Sequence, residues 1–186
     1  MDFNTMFTPS NRQELREWLL TNVITSKECW IILTDDNLTY LDIVEEALCF
    51  GWIDSTKKKI SETERAQRIS TRRKNSNWTE LNKERVRRLR ALELMTEHGE
   101  SVLPDMEITN FKVLSEIENR INSHPEIKKN YDSFPELYKR IRIDTIQSYY
   151  KDQSMYNRRL EKFLENTEKG IMYGSWNDNG RLLDYE

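Results

Sequence analysis

Ile43-Val44-Glu45-Glu46-Ala47-Leu48-Cys49-Phe50-Gly51-Trp52-Ile53-Asp54 is where the chain changes its period. Ile43, Val44, Ala47 and Leu48 stripe one face of a helix that Thr39 is placed to cap. Gly51 can adopt the left-handed backbone that closes a helix. Trp52-Ile53-Asp54 then opens a strand. Upstream, Cys29 to Leu33 is a short apolar run that reads as a buried strand. Leu15, Trp18, Leu19 and Val23 share a helix face, with Ser10 and Gln13 as a capping box and residues 1–9 as an extended lead-in. Downstream, polar Lys57 to Thr63 predicts a hairpin loop and Glu64 to Ser70 the returning strand. Thr79 to Met95 predicts a helix with Leu81, Val86, Leu89, Leu92 and Met95 along one side, and His98 before Gly99 reads as its C-terminal residue. This order defines an α+β domain over residues 1–103, a small N-terminal sheet with helices on it.

From about residue 105 the pattern is helical throughout. Phe111 to Ile121 is one element, Pro125 opens a short second, and Pro135 sits at the first helical position of a third that runs to about Tyr150. Tyr156, Leu160, Phe163, Leu164 and Thr167 keep helical spacing in a fourth that stops near Gly170. Residues 104–186 therefore read as a bundle-like helical domain. Asn177-Asp178-Asn179-Gly180 reads as a tight turn, and Tyr173 and Trp176 predict a tail docked on the domain.

Composition removes several function classes. The five glycines cannot form a dinucleotide fingerprint or a phosphate-binding P-loop. His98 and His124 stand alone, so neither a metal nor a cofactor is expected. Cys29 and Cys49 sit among apolar residues, twenty positions apart, and read as buried reduced thiols. The start carries no basic and apolar leader pattern, and no apolar run approaches a membrane span, so a cytoplasmic location is expected ahead of a periplasmic one.

Charge is placed unevenly. Residues 56–90 hold thirteen Lys or Arg, eight of them Arg, against four Asp or Glu, a local charge of +9. The rest of the chain carries −12, and the formal total of −3 hides the split. Arginine forks suit carboxylates and phosphates. The expectation is a groove where the Trp52–Asp54 strand, the Arg68–Trp78 segment and the next helix meet. There Arg68, Arg72, Arg73 and Arg85 would grip an anion, Trp52 and Trp78 would form an apolar wall, and Ser76 and Asn82 would orient the ligand. The competing reading is a solvated cationic face, or one paired with the chain's own acids or those of a second copy in a homodimer. A pI near 5.6 disfavours nucleic acid as the partner. An anionic small molecule or an acidic protein surface remains. Glu45 and Glu46 are adjacent, point to different helix faces, and do not read as a facing carboxylate pair.

The stretch from Glu46 to Ser55 resembles the EAL-x-FGWIDS signature of the YdeI/OmpD-associated (bacteriocin-protection) family. Gln67 to Val86 is similar to its Arg-rich continuation, and Leu94-Met95-Thr96-Glu97 with Gly99 to its G-x-M-T-x-x-G motif. Thr71 replaces the usual Pro and Leu94 the usual Gly. Tyr149-Tyr150-Lys151 through Arg158-Arg159 stands loosely where the family carries a basic C-terminal motif. The resemblance implies a binding or stress-protection protein and brings no catalytic residues. The alternative is an enzyme on a small anionic substrate, with Asp54 beside apolar Trp52 as general acid or base.

Overall fold

The computed structural model describes residues 6–34, 38–73, 75–183 and 185. The first half of the expected lead-in, together with Lys74 of the basic segment, lies outside the described residues. The elements run β1 (Met6–Phe7), α1 (Arg12–Asn22), β2 (Glu28–Leu33), α2 (Tyr40–Cys49), β3 (Trp52–Lys59), β4 (Arg65–Thr71), α3 (Glu80–Ala91) and α4 (Glu97–Glu100). A 3-10 turn at Ile108–Asn110 follows, then α5 (Ser115–Asn122), α6 (Pro125–Ser133), α7 (Glu136–Gln147) and α8 (Gln153–Glu168). The fold is α+β, a small N-terminal sheet with helices followed by a helical part. Two compact units result. One holds residues 1–77 and 85–105, the other residues 78–84 and 106–185, so α3 begins with the second unit and ends with the first.

In the first unit the four strands lie in the order β1-β2-β4-β3, with β1 parallel to β2 and the other pairs antiparallel. Central β2 is buried nearly throughout, as a continuous apolar run should be. α2 starts with a capping box between Thr39 and Asp42 and ends as Gly51 turns at φ +72°. β3 runs on to Lys59, past the point where polarity suggested a loop. Its outer half is exposed and is held by pairing with β4 rather than by burial. α1 is capped by Asn11 instead of Ser10, whose N–H donates to Glu14. α3 stops at Ala91 and not Met95, because Glu93 turns left-handed at φ +56°. His98 consequently lies in α4. There Thr96 donates its N–H (3.1 Å) and hydroxyl (2.6 Å) to the Cys49 carbonyl. The approach is so close that a Cβ on Gly99 would collide with that carbonyl.

The second unit packs around Ile117, Ile121, Tyr138, Ile141, Tyr156, Leu160 and Phe163. The expected Phe111 helix begins only at Ser115, as α5, because the Gln147 side chain takes the Leu114 N–H (2.7 Å) and donates to the Lys112 carbonyl (3.1 Å), holding that stretch non-helical. α7 closes at Gln147, short of Tyr150, and Pro135 stands at its N-cap. The start of α3 is capped by Asp144, whose carboxylate accepts the Glu80 N–H at 3.0 Å. Burial raises the Asp144 pKa. Trp176 packs edge-on against Tyr138 at 5.5 Å, and the 177–180 turn closes through Asp178, Asn179 and Gly180 at positive φ.

Candidate functional site

Part of the basic segment's charge is spent on acids of the same unit. Arg68 pairs with Glu28, Arg90 binds Glu100 through Nε at 2.8 Å, and Lys59 meets Glu62 at 2.7 Å. Arg88 reaches Glu45 Oε1 at 2.9 Å. That last contact belongs to a buried network. Glu45 and Glu46 are each 1% exposed. Arg12 bridges them, with Nη1 to Glu45 and Nε to Glu46 both at 2.6 Å, while Arg16 takes the second Glu46 oxygen at 2.9 Å. Every oxygen of both carboxylates is thus met by a guanidinium, as burial of two charges demands. Burial alone would lower the Arg12 pKa, but hydrogen bonds and charges from Glu46 and Glu45 hold it above its ordinary value. Adjacent residues on a helix do point apart. It is the length and fork of Arg12 that joins them.

The residues expected to form a groove are divided. Trp52, Arg68, Arg72, Arg73, Ser76 and Arg85 lie in the first unit, Trp78 and Asn82 in the second. Trp52 is 1% exposed and packs edge-on against Trp18 at 6.1 Å, which makes it a core residue instead of a ligand wall. Arg72 is buried, and its Nη1 donates to the Asn77 carbonyl (3.2 Å) and Ser76 hydroxyl (3.4 Å). Desolvation pulls its pKa down to about 10 against the opposing Asp54 charge. Arg85 is also buried, and Arg73 is exposed. Asn82 donates its backbone N–H to the Thr79 hydroxyl at 3.2 Å, and Trp78 is half-buried. Asp54 accepts the Tyr40 hydroxyl at 2.6 Å. Cys29 and Cys49 are buried, and desolvation pushes both thiols up to about 12. Among the described residues no group of three or more His, Cys, Asp or Glu side chains could hold a metal ion, and no helix is long and apolar enough to cross a membrane.

The second unit carries a different arrangement. Arg142, Thr145 and Ile146 on α7 face Arg158, Arg159 and Lys162 on α8 across a cleft of about 540 Å³, with Tyr173 and Gly174 closing one side. Helical spacing explains the convergence. Positions 142, 145 and 146 share one face of α7, and 158, 159 and 162 share one of α8. Four cations line the cleft and no carboxylate does. Among the described residues none of the four takes part in an ion pair: Glu161, the acid nearest in sequence, is turned to Arg120 at 2.8 Å. The cations rest on rings and sulfur instead. Arg142 lies 5.4 Å and Lys162 5.0 Å from the Tyr173 ring centre, Arg159 stands 4.2 Å over Tyr149, and Arg158 meets the Met155 sulfur at 3.0 Å. The Nε atoms of Arg142 and Arg159 are buried with no hydrogen-bond acceptor. Gly174, at φ +78°, brings its backbone against the Arg142 guanidinium, where a Cβ would sit 2.6 Å from Nη1. The sequence marks Arg158 and Arg159 only within a loosely matching basic motif and Tyr173 only as part of a docked tail, and nothing in it singled out Arg142 or Lys162. One cationic face of α8, Arg158, Arg159 and Lys162 at spacing i, i+1, i+4, is the signal that finds part of the cleft; Arg142 is the one cation α7 adds.

A two-unit α+β protein with a cationic cleft in its helical unit is the class this architecture defines. The chain belongs to the family described as a domain of unknown function (DUF8412), whose family model matches residues 7–102, over half its length. Residues 110–170 match the family described as Bacteriocin-protection, YdeI or OmpD-Associated. The resemblance to that second family is therefore real, but the match lies on the helical part, where the sequence likeness was looser, and residues 46–99 fall within the other family model. Every cleft residue except Tyr173 and Gly174 falls inside the 110–170 match. No curated protein and no solved structure matches the chain.

Proposed function

We propose that this protein is a YdeI/OmpD-associated binding protein that takes up an anionic ligand in the cleft of its helical unit. One observation carries the reading: Arg142, Arg158, Arg159 and Lys162 line one concavity without a carboxylate, in a chain that matches many of its other arginines to acids. Four unneutralised cations raise the local potential and draw anions. The cleft volume lies within the range of small-molecule sites. The family description adds bacteriocin protection as the setting in which such binding would be used.

Calorimetric titration at low ionic strength with orthophosphate, sulfate and citrate tests it. The expected result is saturable binding by at least one anion, weakened by added salt and lost in Arg142→Met/Arg159→Met. The control is Arg68→Met/Arg73→Met, which should bind as the wild type does. Loss of binding in the control, with retention in the cleft variant, would move the site to the Arg-rich segment of the first unit. Absence of binding by every anion would end the reading.

A further inference from the structure

Resting on that reading, we infer that the group recognised by the Arg142/Arg158/Arg159/Lys162 cleft is an oligophosphate, three or more linked phosphoryl units. Charge balance comes first. The lining carries four positive charges and no negative one. A monoanion would leave three of those charges uncompensated and a dianion two, in a partly enclosed space where electrostatic interactions are stronger than in open water. A compact group of three or four negative charges closes the balance.

Hydrogen-bonding capacity comes second. The guanidinium and ammonium groups are donors only. The one hydroxyl of the α7 face, on Thr145, already donates to the Ile141 carbonyl at 2.8 Å. The complementary ligand is dense in acceptors and has no donors at the point of contact. Oligophosphate oxygens meet both demands, and each phosphoryl unit presents the paired oxygens that a guanidinium fork takes two at a time. A sugar hydroxyl or an amine would find only the Thr145 and Tyr173 hydroxyl oxygens as side-chain acceptors in this lining.

The third argument is shape. Arg142 and Lys162 both stand within 5.4 Å of the Tyr173 ring centre, while Arg158 and Arg159 follow one another along α8. Arg158 and Lys162 stand one turn apart on α8, about 6 Å along its axis, and Arg142 lies on the other helix, so a single tetrahedral ion reaches fewer of the four than a chain of linked phosphoryl units does. The same chemistry is offered by an inorganic chain and by the tail of a nucleoside triphosphate.

The test is calorimetric titration of the full chain with orthophosphate, pyrophosphate, tripolyphosphate, citrate and metal-free ATP. Affinity should rise along the phosphate series, with tripolyphosphate or ATP binding about tenfold or more tighter than orthophosphate, and citrate well below them, because charge complementarity grows with each unit. Tripolyphosphate tighter than ATP would name the inorganic chain, and ATP as tight or tighter the nucleotide tail. Either supports the inference. Equal affinity for orthophosphate and tripolyphosphate, or citrate equal to tripolyphosphate, would overturn it while leaving anion binding standing. No binding at all would overturn both. Arg158→Met and Lys162→Met are solvent-exposed changes that leave folding intact, so each should lower tripolyphosphate affinity with an unchanged circular dichroism spectrum. Retained affinity in both would remove the cleft from the proposal.

Discussion

The buried network of the first unit and the cleft of the second use arginine in opposite ways. In the first unit, Arg12, Arg16 and Arg88 close around Glu45 and Glu46, and Arg68 and Arg90 find their own acids. In the second unit, Arg140 behaves likewise, reaching Glu80 at 3.1 Å and Glu84 beside it. Two residues further along α7, Arg142 faces a cleft of cations. Arginines in the segment with the highest linear charge therefore meet acids that the cleft arginines do not. Net charge along a chain measures what folding has to neutralise, whereas binding depends on what folding leaves over.

That contrast can be broken most sharply at the buried network. Glu46→Ala strands Arg12 and Arg16, and should cost about 3–5 kcal/mol in urea unfolding, the usual penalty for removing one partner of a buried pair. A loss under about 1 kcal/mol, the worth of an exposed pair, would mean that water reaches these groups and that the two units do not differ as described. Gly99→Ala should destabilise by about 1–3 kcal/mol or more, because its Cβ meets the Cys49 carbonyl and overpacking of that kind is not relieved by a side-chain rotation.

Proton linkage sharpens the same point. Cys29 and Cys49 are held near 12 against an ordinary 9.0 by desolvation. The native state keeps protons that the unfolded chain releases. Their contribution to stability is complete below pH 9 and is lost as pH rises from 9 towards 12. Unfolding midpoints across that window should fall, and a Cys29→Ala/Cys49→Ala variant should fall less. At neutral pH a thiol reagent should modify neither residue until the protein is unfolded.

In the cleft, Gly174→Ala should lower stability by about 1 kcal/mol through its positive φ, read by urea unfolding, and should weaken tripolyphosphate binding by displacing Arg142, read by calorimetric titration. Arg68→Ala, at a part-exposed pair, should change stability by less than about 1 kcal/mol and leave anion binding as it is. An effect on binding at Arg68 larger than at Arg142 would reverse the assignment of the two regions.

The elements were legible because local chemistry decides them. Thr39 with Asp42, the turn at Gly51, the apolar run of β2, Pro125 and the spacing of Tyr156 to Thr167 each act within one turn or one pleat. Reading failed where a distant group intervened. Gln147 holds residues 112–114 out of the helix, and pairing with β4 carries β3 through its lysines. Trp52, an expected ligand wall, turned inward because the aromatic packing of Trp18 and Phe7 lies on its side of the unit.

By itself the sequence determined the α+β order, the helical second half, the family likeness and the presence of surplus arginine. Only the tertiary structure decided which arginines stay unneutralised. A guanidinium reaches several ångströms from its backbone, and its partner comes from another element: Arg12 spans to α2, Glu161 turns away to Arg120, and the α7 and α8 faces meet only through packing. Charge is written locally along the chain, but its cancellation is a property of three-dimensional distance.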